Sequence, residues 1–296
     1  MSSLDRQPLH SIFRRAVLIV LLTSLIAPFI CSGQSPLKKD SRYEVIDDTE
    51  ADRRLHAFRN QRLEGDFCFR FQLEHLPRRG SSVRYYGSMW GAWNDRGPIT
   101  RIKLNAKPSD AGNSEVELIL QNGADPMVWL RNAQTNCFDR LEGAALFRPL
   151  LPEIVFTPFD FLMPFLYWDN YDYEGSGRMR SRVVRNFLMR PESNSATPDW
   201  LQSVRVGIDD AYNALLHIEV LEKPDRKRSS FTVESFKKVQ GQWIVKYIVM
   251  KDWKSRDRTR FKVLSASVGL SFPEAVFSPT EAMDLPRIPE SMFKEL

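Results

Sequence analysis

Four histidines, His10, His56, His75 and His217, are the chain's only imidazoles, and none stands at a ligand spacing from another His, a Cys or a carboxylate that would define a zinc site. No metal and no cofactor are expected. A Gly-x-Ser-x-Gly elbow, a phosphate-binding loop and a dinucleotide fingerprint are all missing; Gly87-Ser88-Met89-Trp90-Gly91 and Gly175-Ser176-Gly177 have the wrong spacing and read as turns or bends. Asp169, Asp172 and Glu174 cluster as an acid and base pair of a hydrolase would, yet beside Asn170 and Gly175 they read as a solvated turn. Arg178, Arg180 and Arg182, spaced by two with Arg185 nearby, would project from one face of a strand and could hold a phosphate or acidic headgroup. The same spacing also describes an ordinary wet strand face. The expectation is a protein that is not an enzyme.

Apolar chemistry is richer. The segment from Thr157 to Tyr173 packs seven aromatics among large aliphatics. It is too apolar for a loop, and it is interrupted by Asp160, Pro164 and Asp169 well short of the about 20 apolar residues that cross a bilayer. Buried aromatics remove roughly 150–250 Å² each from water, so this stretch either plugs a core or covers a cavity with apolar contents. Trp90, Trp93 and Trp129 pose the same choice between core and cavity lining.

The elements around these residues follow from periodicity. Arg14 and Arg15 precede an apolar run from Ala16 to Ile30 and then Cys31, Ser32, Gly33 and Gln34, the layout of a secretory signal peptide cleaved after Gly33. Pro28, Phe29 and Ile30 do not suit lipid attachment at Cys31, so anchoring there is not expected. Export leaves Cys68 and Cys137 where disulfides are allowed; the sequence leaves open whether they pair or stay as two free thiols. Without the leader, 39 Lys+Arg face 36 Asp+Glu, a charge of +3 that does not indicate a nucleic-acid binder but suits weak contact with an anionic membrane.

From Asp47 to Leu63 the spacing of Ala51, Leu55 and Phe58, with acids first and arginines later, predicts an amphipathic helix. Beyond it the period becomes two, as in Phe67-Phe69-Phe71-Leu73, Val116-Leu118-Leu120, Val204-Val206-Ile208, Leu216-Ile218-Val220, Phe231-Val233, Trp243-Val245-Tyr247-Val249 and Phe261-Val263. Alternation implies an antiparallel sheet with one wet face. The proline-punctuated aromatic segment is the natural cover for the other face, as short helices or a lid. The fold class expected is mainly β: an incomplete antiparallel barrel, or curved sheet, with short lid helices and an N-terminal helix. Residues 1–33 form the leader, 34–280 one domain and 281–296 an irregular C-terminal tail.

Several strand and turn motifs resemble those of the LolA-like outer-membrane lipoprotein-sorting family, from about Arg62 to Pro279. They are Gly97-Pro98-Ile99-Thr100-Arg101-Ile102, the Gly123 to Trp129 stretch, Thr157-Pro158-Phe159-Asp160-Phe161-Leu162, Tyr173-Glu174-Gly175, Phe236-Lys237-Lys238-Val239 with Gly241-Gln242-Trp243, Thr259 to Val263, and Val276-Phe277-Ser278-Pro279. The resemblance implies a periplasmic carrier, monomeric, whose apolar concavity holds acyl chains of a lipoprotein or lipid and passes them between inner- and outer-membrane transfer partners. Trp90, Trp129, Phe156, Phe159, Phe161, Leu162, Phe165 and Trp168 would be lining or lid, with Arg178, Arg180 and Arg182 as headgroup contacts. Typical carriers hold the lid shut with an arginine of an early strand; Arg96 and Arg101 lie near that place, and neither matches its context. The rival expectation is a non-catalytic envelope interaction module with a fully packed β core.

Overall fold

A computed structural model describes the backbone of Lys38–Lys39 and residues 44–105, 116–151, 153–192, 197–281 and 283–296. The expected leader, 1–33, and its Cys31 lie outside the described residues. In chain order the strands are β1 (Lys38–Lys39), β2 (Asp66–Leu76), β3 (Val83–Asn94), β4 (Gly97–Asn105), β5 (Val116–Gln121), β6 (Met127–Arg131), β7 (Phe138–Leu141), β8 (Tyr171–Met179), β9 (Arg182–Met189), β10 (Ser203–Asp209), β11 (Leu215–Lys223), β12 (Arg226–Val239), β13 (Gln242–Asp252), β14 (Arg258–Leu270) and β15 (Lys294–Glu295). Two α-helices, α1 (Asp48–Arg59) and α2 (Pro158–Leu162), accompany them.

All fifteen strands belong to one antiparallel sheet in the order β1-β8-β9-β10-β11-β12-β13-β14-β2-β3-β4-β5-β6-β7, with β15 added beside β14. The chain meanders from β2 to β7, leaves that edge through residues 142–170, and restarts at β8. It then meanders to β14, whose long pairing with β2, from Arg258↔Leu76 to Leu270↔Asp66, ties the two runs together. β7 does not meet β8, so the barrel is incomplete.

Helix α1 begins where the sequence places it. The Asp47 carboxylate accepts the Glu50 backbone N–H at 2.8 Å, an N-cap, and Ala51 and Leu55 are buried. In β3, Gly87 and Gly91 do not form turns. They sit mid-strand because a Cβ on Gly91 would lie 2.0 Å from the Phe67 ring and one on Gly87 2.7 Å from the Phe71 ring, so bare backbone makes room for the aromatics of β2.

Alternation sorts the strand side chains onto two faces. The inner face gathers Phe71, Leu73, Ile102, Leu104, Leu118 and Val128 from one run of strands and Phe187, Val206, Ile218, Phe231 and Phe261 from the other, with α1 and segment 142–170 in the same core. On the outer face of β2–β6 a second cluster forms from Cys68, Trp90, Ile99 and Ile119. The end of the chain covers it with Val276, Phe277, Met283, Leu285, Ile288 and Phe293. The outer face of β8–β12 covers itself with charge: Arg205 bonds Glu174 at 3.0 Å and Glu219 at 2.9 Å, and His217 meets Glu219 at 2.9 Å. Burial pushes the Glu219 carboxyl up, but bonds from His217 and Lys227 outweigh it and hold the group at about 2.

Candidate functional site

Segment 142–170 closes over the inner face, and its local sequence explains its shape. Thr157 caps α2: its hydroxyl donates to Asp160 Oδ2 at 2.7 Å and accepts the Asp160 backbone N–H at 3.3 Å, while the Thr157 N–H donates to the same carboxylate oxygen at 2.9 Å. Pro158 stands in the first turn, where its missing N–H costs nothing. Met163, left-handed at φ 51°, stops the helix, and Pro164 starts a 3-10 turn running to Tyr167. The result is a short helix, a sharp corner and a second short turn, each presenting aromatics to one side.

Phe156, Phe159, Leu162 and Phe165 are all buried, whereas Phe161 and Trp168 are partly buried against the same core. The rings form a continuous chain. Trp200 meets Phe147 edge-on at 5.4 Å, Phe147 lies 4.7 Å from Phe159, Phe159 5.6 Å from Phe165, and Phe165 6.3 Å from Trp168. Phe156 joins the segment to the sheet through Phe231 at 5.5 Å. Offset and edge-on pairs of this kind add to the area they bury.

Polar fasteners hold the segment's backbone. From the last turn of α1, Arg59 donates to the carbonyls of Leu166 at 2.7 Å and Trp168 at 2.6 Å, and Tyr167 Oη donates back to the Arg59 carbonyl at 3.3 Å. Asn122 Nδ2 donates to the Leu162 carbonyl. Tyr171 donates to Asp52 of α1 at 2.7 Å. Inside the segment, burial raises Asp160 to about 6 against the bonds from Thr157, which favour its charged form. Asp160 is thus a buried carboxyl within the segment.

Of the residues expected to line a site, the structure gathers Phe156, Phe159, Phe161, Leu162, Phe165 and Trp168. It separates Trp90 and Trp129, which belong to the outer cluster under the chain's end. Arg178, Arg180 and Arg182 do not share one strand face: Arg180 occupies the two-residue turn between β8 and β9 at φ 56°, and Met179 pairs with Arg182 across it. The reason is that the spacing-two run is interrupted by a hairpin. Arg178 donates to the Arg180 carbonyl at 3.1 Å, while Arg182 pairs with Asp209 at 2.8 Å and lies over Tyr212. Arg185 is buried, donating to Asp210 at 2.9 Å and the Glu44 carbonyl at 2.7 Å.

Each clustered carboxylate has an arginine. Asp169 faces Arg59 at 3.9 Å, Asp172 pairs with Arg190, and Glu174 with Arg205. No metal-binding group of His, Cys, Asp and Glu exists among the described residues. Cys68 and Cys137 are both free, Cys68 buried with its thiol pushed up to about 12 by desolvation and Cys137 exposed. Among the described residues, no helix is long and apolar enough to cross a membrane.

Three crystal structures share this architecture. They are a DUF1329 family protein from Desulfovibrio piger (TM-score 0.63, 11% identity, 77% of this chain and 95% of that one), a putative outer membrane lipoprotein-sorting protein domain from Vibrio parahaemolyticus (0.62, 12%, 77% and 94%) and a LolA superfamily protein from Nitrosomonas europaea (0.58, 14%, 77% and 97%). The chain has their fold. At these identities the similarity is remote and concerns the fold alone. A family profile described as an uncharacterized protein matches residues 168–282, and no curated protein matches. Sequence reasoning did not find Arg59, Asn122, Phe147 or Trp200 at the lid; a lone arginine at a helix end and a lone asparagine in a turn carry no signal of what they will touch.

Proposed function

We propose that this protein is a non-enzymatic periplasmic carrier that takes up acyl chains of a lipoprotein or lipid beneath segment 157–168 and passes them toward the outer membrane. The leader 1–33 would be removed to leave one domain and its tail. The observation that carries the reading is that an aromatic segment lies over the inner face of an unclosed barrel and is held by a few bonds to its backbone, chiefly those of Arg59. The lipoprotein-sorting description of one structure with this fold is in keeping with it.

The energetics favour exchange over simple opening. Four lid aromatics, Phe159, Phe161, Phe165 and Trp168, at roughly 150 Å² each and about 25 cal/mol per Å², represent on the order of 15 kcal/mol of apolar burial. An acyl chain of about 14 carbons represents on the order of 11 kcal/mol at about 0.8 kcal/mol per methylene. A chain sliding beneath the lid as the rings swing aside replaces most of what is lost, whereas an empty open state would expose a greasy patch. Arg178, exposed at the end of β8, is the hairpin cation most open to a headgroup, since Arg182 is engaged by Asp209 and Arg180 lies 4.0 Å from Glu234.

The test is native mass spectrometry of the exported protein, with lipid analysis of what organic extraction removes, repeated on Phe161→Asp and Phe165→Asp. A bound acyl species lost from folded variants supports the carrier. The near-complete burial of Phe159, Leu162 and Phe165 favours the second reading, a packed interaction module; there the parent is ligand-free, takes up no added phospholipid or acylated peptide, and the variants unfold.

A further inference from the structure

One end of the sheet carries an excess of positive charge that nothing in the carrier reading uses. Three turns meet there: 77–80 after β2, 222–228 around the β11–β12 hairpin and 251–258 between β13 and β14, together holding ten Lys and Arg against four Asp and Glu. The strand registers make them neighbours: Arg258 pairs with both Leu76 and Lys251, and Asp252 with Ser229. The Arg78 backbone N–H donates to Asp257 at 2.9 Å and the Trp253 N–H to the Arg228 carbonyl at 2.9 Å.

Three of the four acids there are turned to structural use, and Asp225 is exposed in the β11–β12 turn. Asp252 accepts the N–H groups of Lys254 and Ser255 at 2.7 and 2.8 Å, Asp257 accepts from Arg78, and Glu222 binds Arg226 and Arg228. The cations are mostly exposed, Arg78, Arg79, Lys254, Arg256 and Arg258 among them. Trp253 stands in their midst, its indole N–H on Ser230 Oγ at 3.1 Å and the Lys251 ammonium 3.5 Å from its ring centre. Desolvation, and then the charges of Arg258, Arg256 and Lys227, lower the pKa of Lys251, the mark of a site crowded with like charge.

We propose that this end of the sheet is a docking surface for an anionic phospholipid bilayer. Clustered Lys and Arg around a tryptophan match the phosphate plane of such a surface, where indole rings sit at headgroup level. A nucleic-acid groove fits less well, since the Trp253 ring is occupied by an ammonium and is not free to stack a base. The surface also adjoins the lid: Arg228 lies 4.0 Å over the Trp200 ring, which leads through Phe147 to Phe159. Docking at this end therefore brings the membrane to one end of the lid's aromatic chain.

The proposal stands without an acyl cargo, so its failure would leave the carrier reading intact. The purified protein is floated with vesicles of phosphatidylglycerol mixed with phosphatidylcholine, and with vesicles of phosphatidylcholine alone. Binding is expected only to the anionic vesicles and to weaken as salt rises. At about fivefold per cation, the exposed triple variant Arg79→Gln, Lys254→Gln, Arg256→Asn is expected to reduce it on the order of 100-fold. Neutralising Arg62, Lys237 and Lys238 at the opposite end changes net charge equally and is expected to leave most of the binding. Equal losses in the two triple variants, no preference for phosphatidylglycerol, or equal affinity for a duplex oligonucleotide would each overturn the proposal.

Discussion

Two long non-strand segments cover the two faces of this sheet, and they are fastened differently. The lid, 142–170, lies on the inner face and is held at its backbone by Arg59 and Asn122, with a buried carboxyl, Asp160, that stands near neutrality. The chain's end lies on the outer face and is held by a buried ion network: Arg101 bonds Glu117 at 2.6 Å and reaches the carbonyls of Val276 at 2.8 Å and Met283 at 3.4 Å, while Arg131 adds a second bond to Glu117 at 2.6 Å. Its last residues then pair as β15 with β14, and Arg70 binds Glu290. The outer cover ends in a two-residue strand and hangs on an arginine that is itself fixed in the sheet by a buried ion pair, so lifting it disturbs the sheet's own charge network. The lid's arginine stands at the end of α1, outside the sheet, so the lid can lift while the sheet's ion pairs stay whole.

The largest effect expected from breaking this contrast lies on the outer face. Arg101→Met takes from the buried Glu117 carboxylate its buried partner and leaves the partly exposed Arg131 beside it, a loss of up to about 3–5 kcal/mol, read as a lower urea midpoint for the whole molecule. Cooperative unfolding at the parent's midpoint would show that the outer cover contributes little.

Asp160 gives the next largest. Its folded pKa of about 6 lies above the ordinary 3.8, so the folded protein binds this proton more tightly than the unfolded chain. The stabilisation is fully present below about pH 4 and is lost as pH rises through about 6, a contribution of up to about 3 kcal/mol. Asp160→Asn should flatten that part of the stability profile between pH 4 and 7. An unchanged slope in the variant would remove Asp160 as its source.

The smallest effect, and the most telling, is expected at Arg59. Arg59→Leu removes two charge-assisted bonds to the lid backbone, about 2 kcal/mol of local closure. Hydrogen exchange should quicken at residues 157–168 and not in β2 or β14, separating a liftable lid from a pinned tail. Equal acceleration throughout would mean that the lid and the sheet open only together.

Much of the fold was legible in residue order. The helix after residue 47, the period-two strands and the cover made of short helices follow from capping residues, alternation and prolines, which act over a few neighbours. Strand β3 was not legible, because Gly87 and Gly91 mimic turns until the Phe67 and Phe71 rings that require them are in place. The β8–β9 hairpin hid in the same way, with a turn of Arg180 and Ser181 that lacks the usual turn residues. The candidate site was half legible. Thr157, Pro158 and Pro164 announce the lid's shape, but nothing in the sequence connects Arg59 to Leu166, 107 positions away.

The sequence by itself determined that this chain is a mainly β protein with an apolar, proline-broken cover, since alternation and capping are local consequences of backbone geometry. Only the tertiary structure decided which face each aromatic serves. Phe159 and Phe165 lie inside while Trp90 and Trp129 lie outside, under the tail. Strand parity assigns a side chain to one of two faces, and which face becomes the lid's is set by the curl of the whole sheet and by where the long connections return.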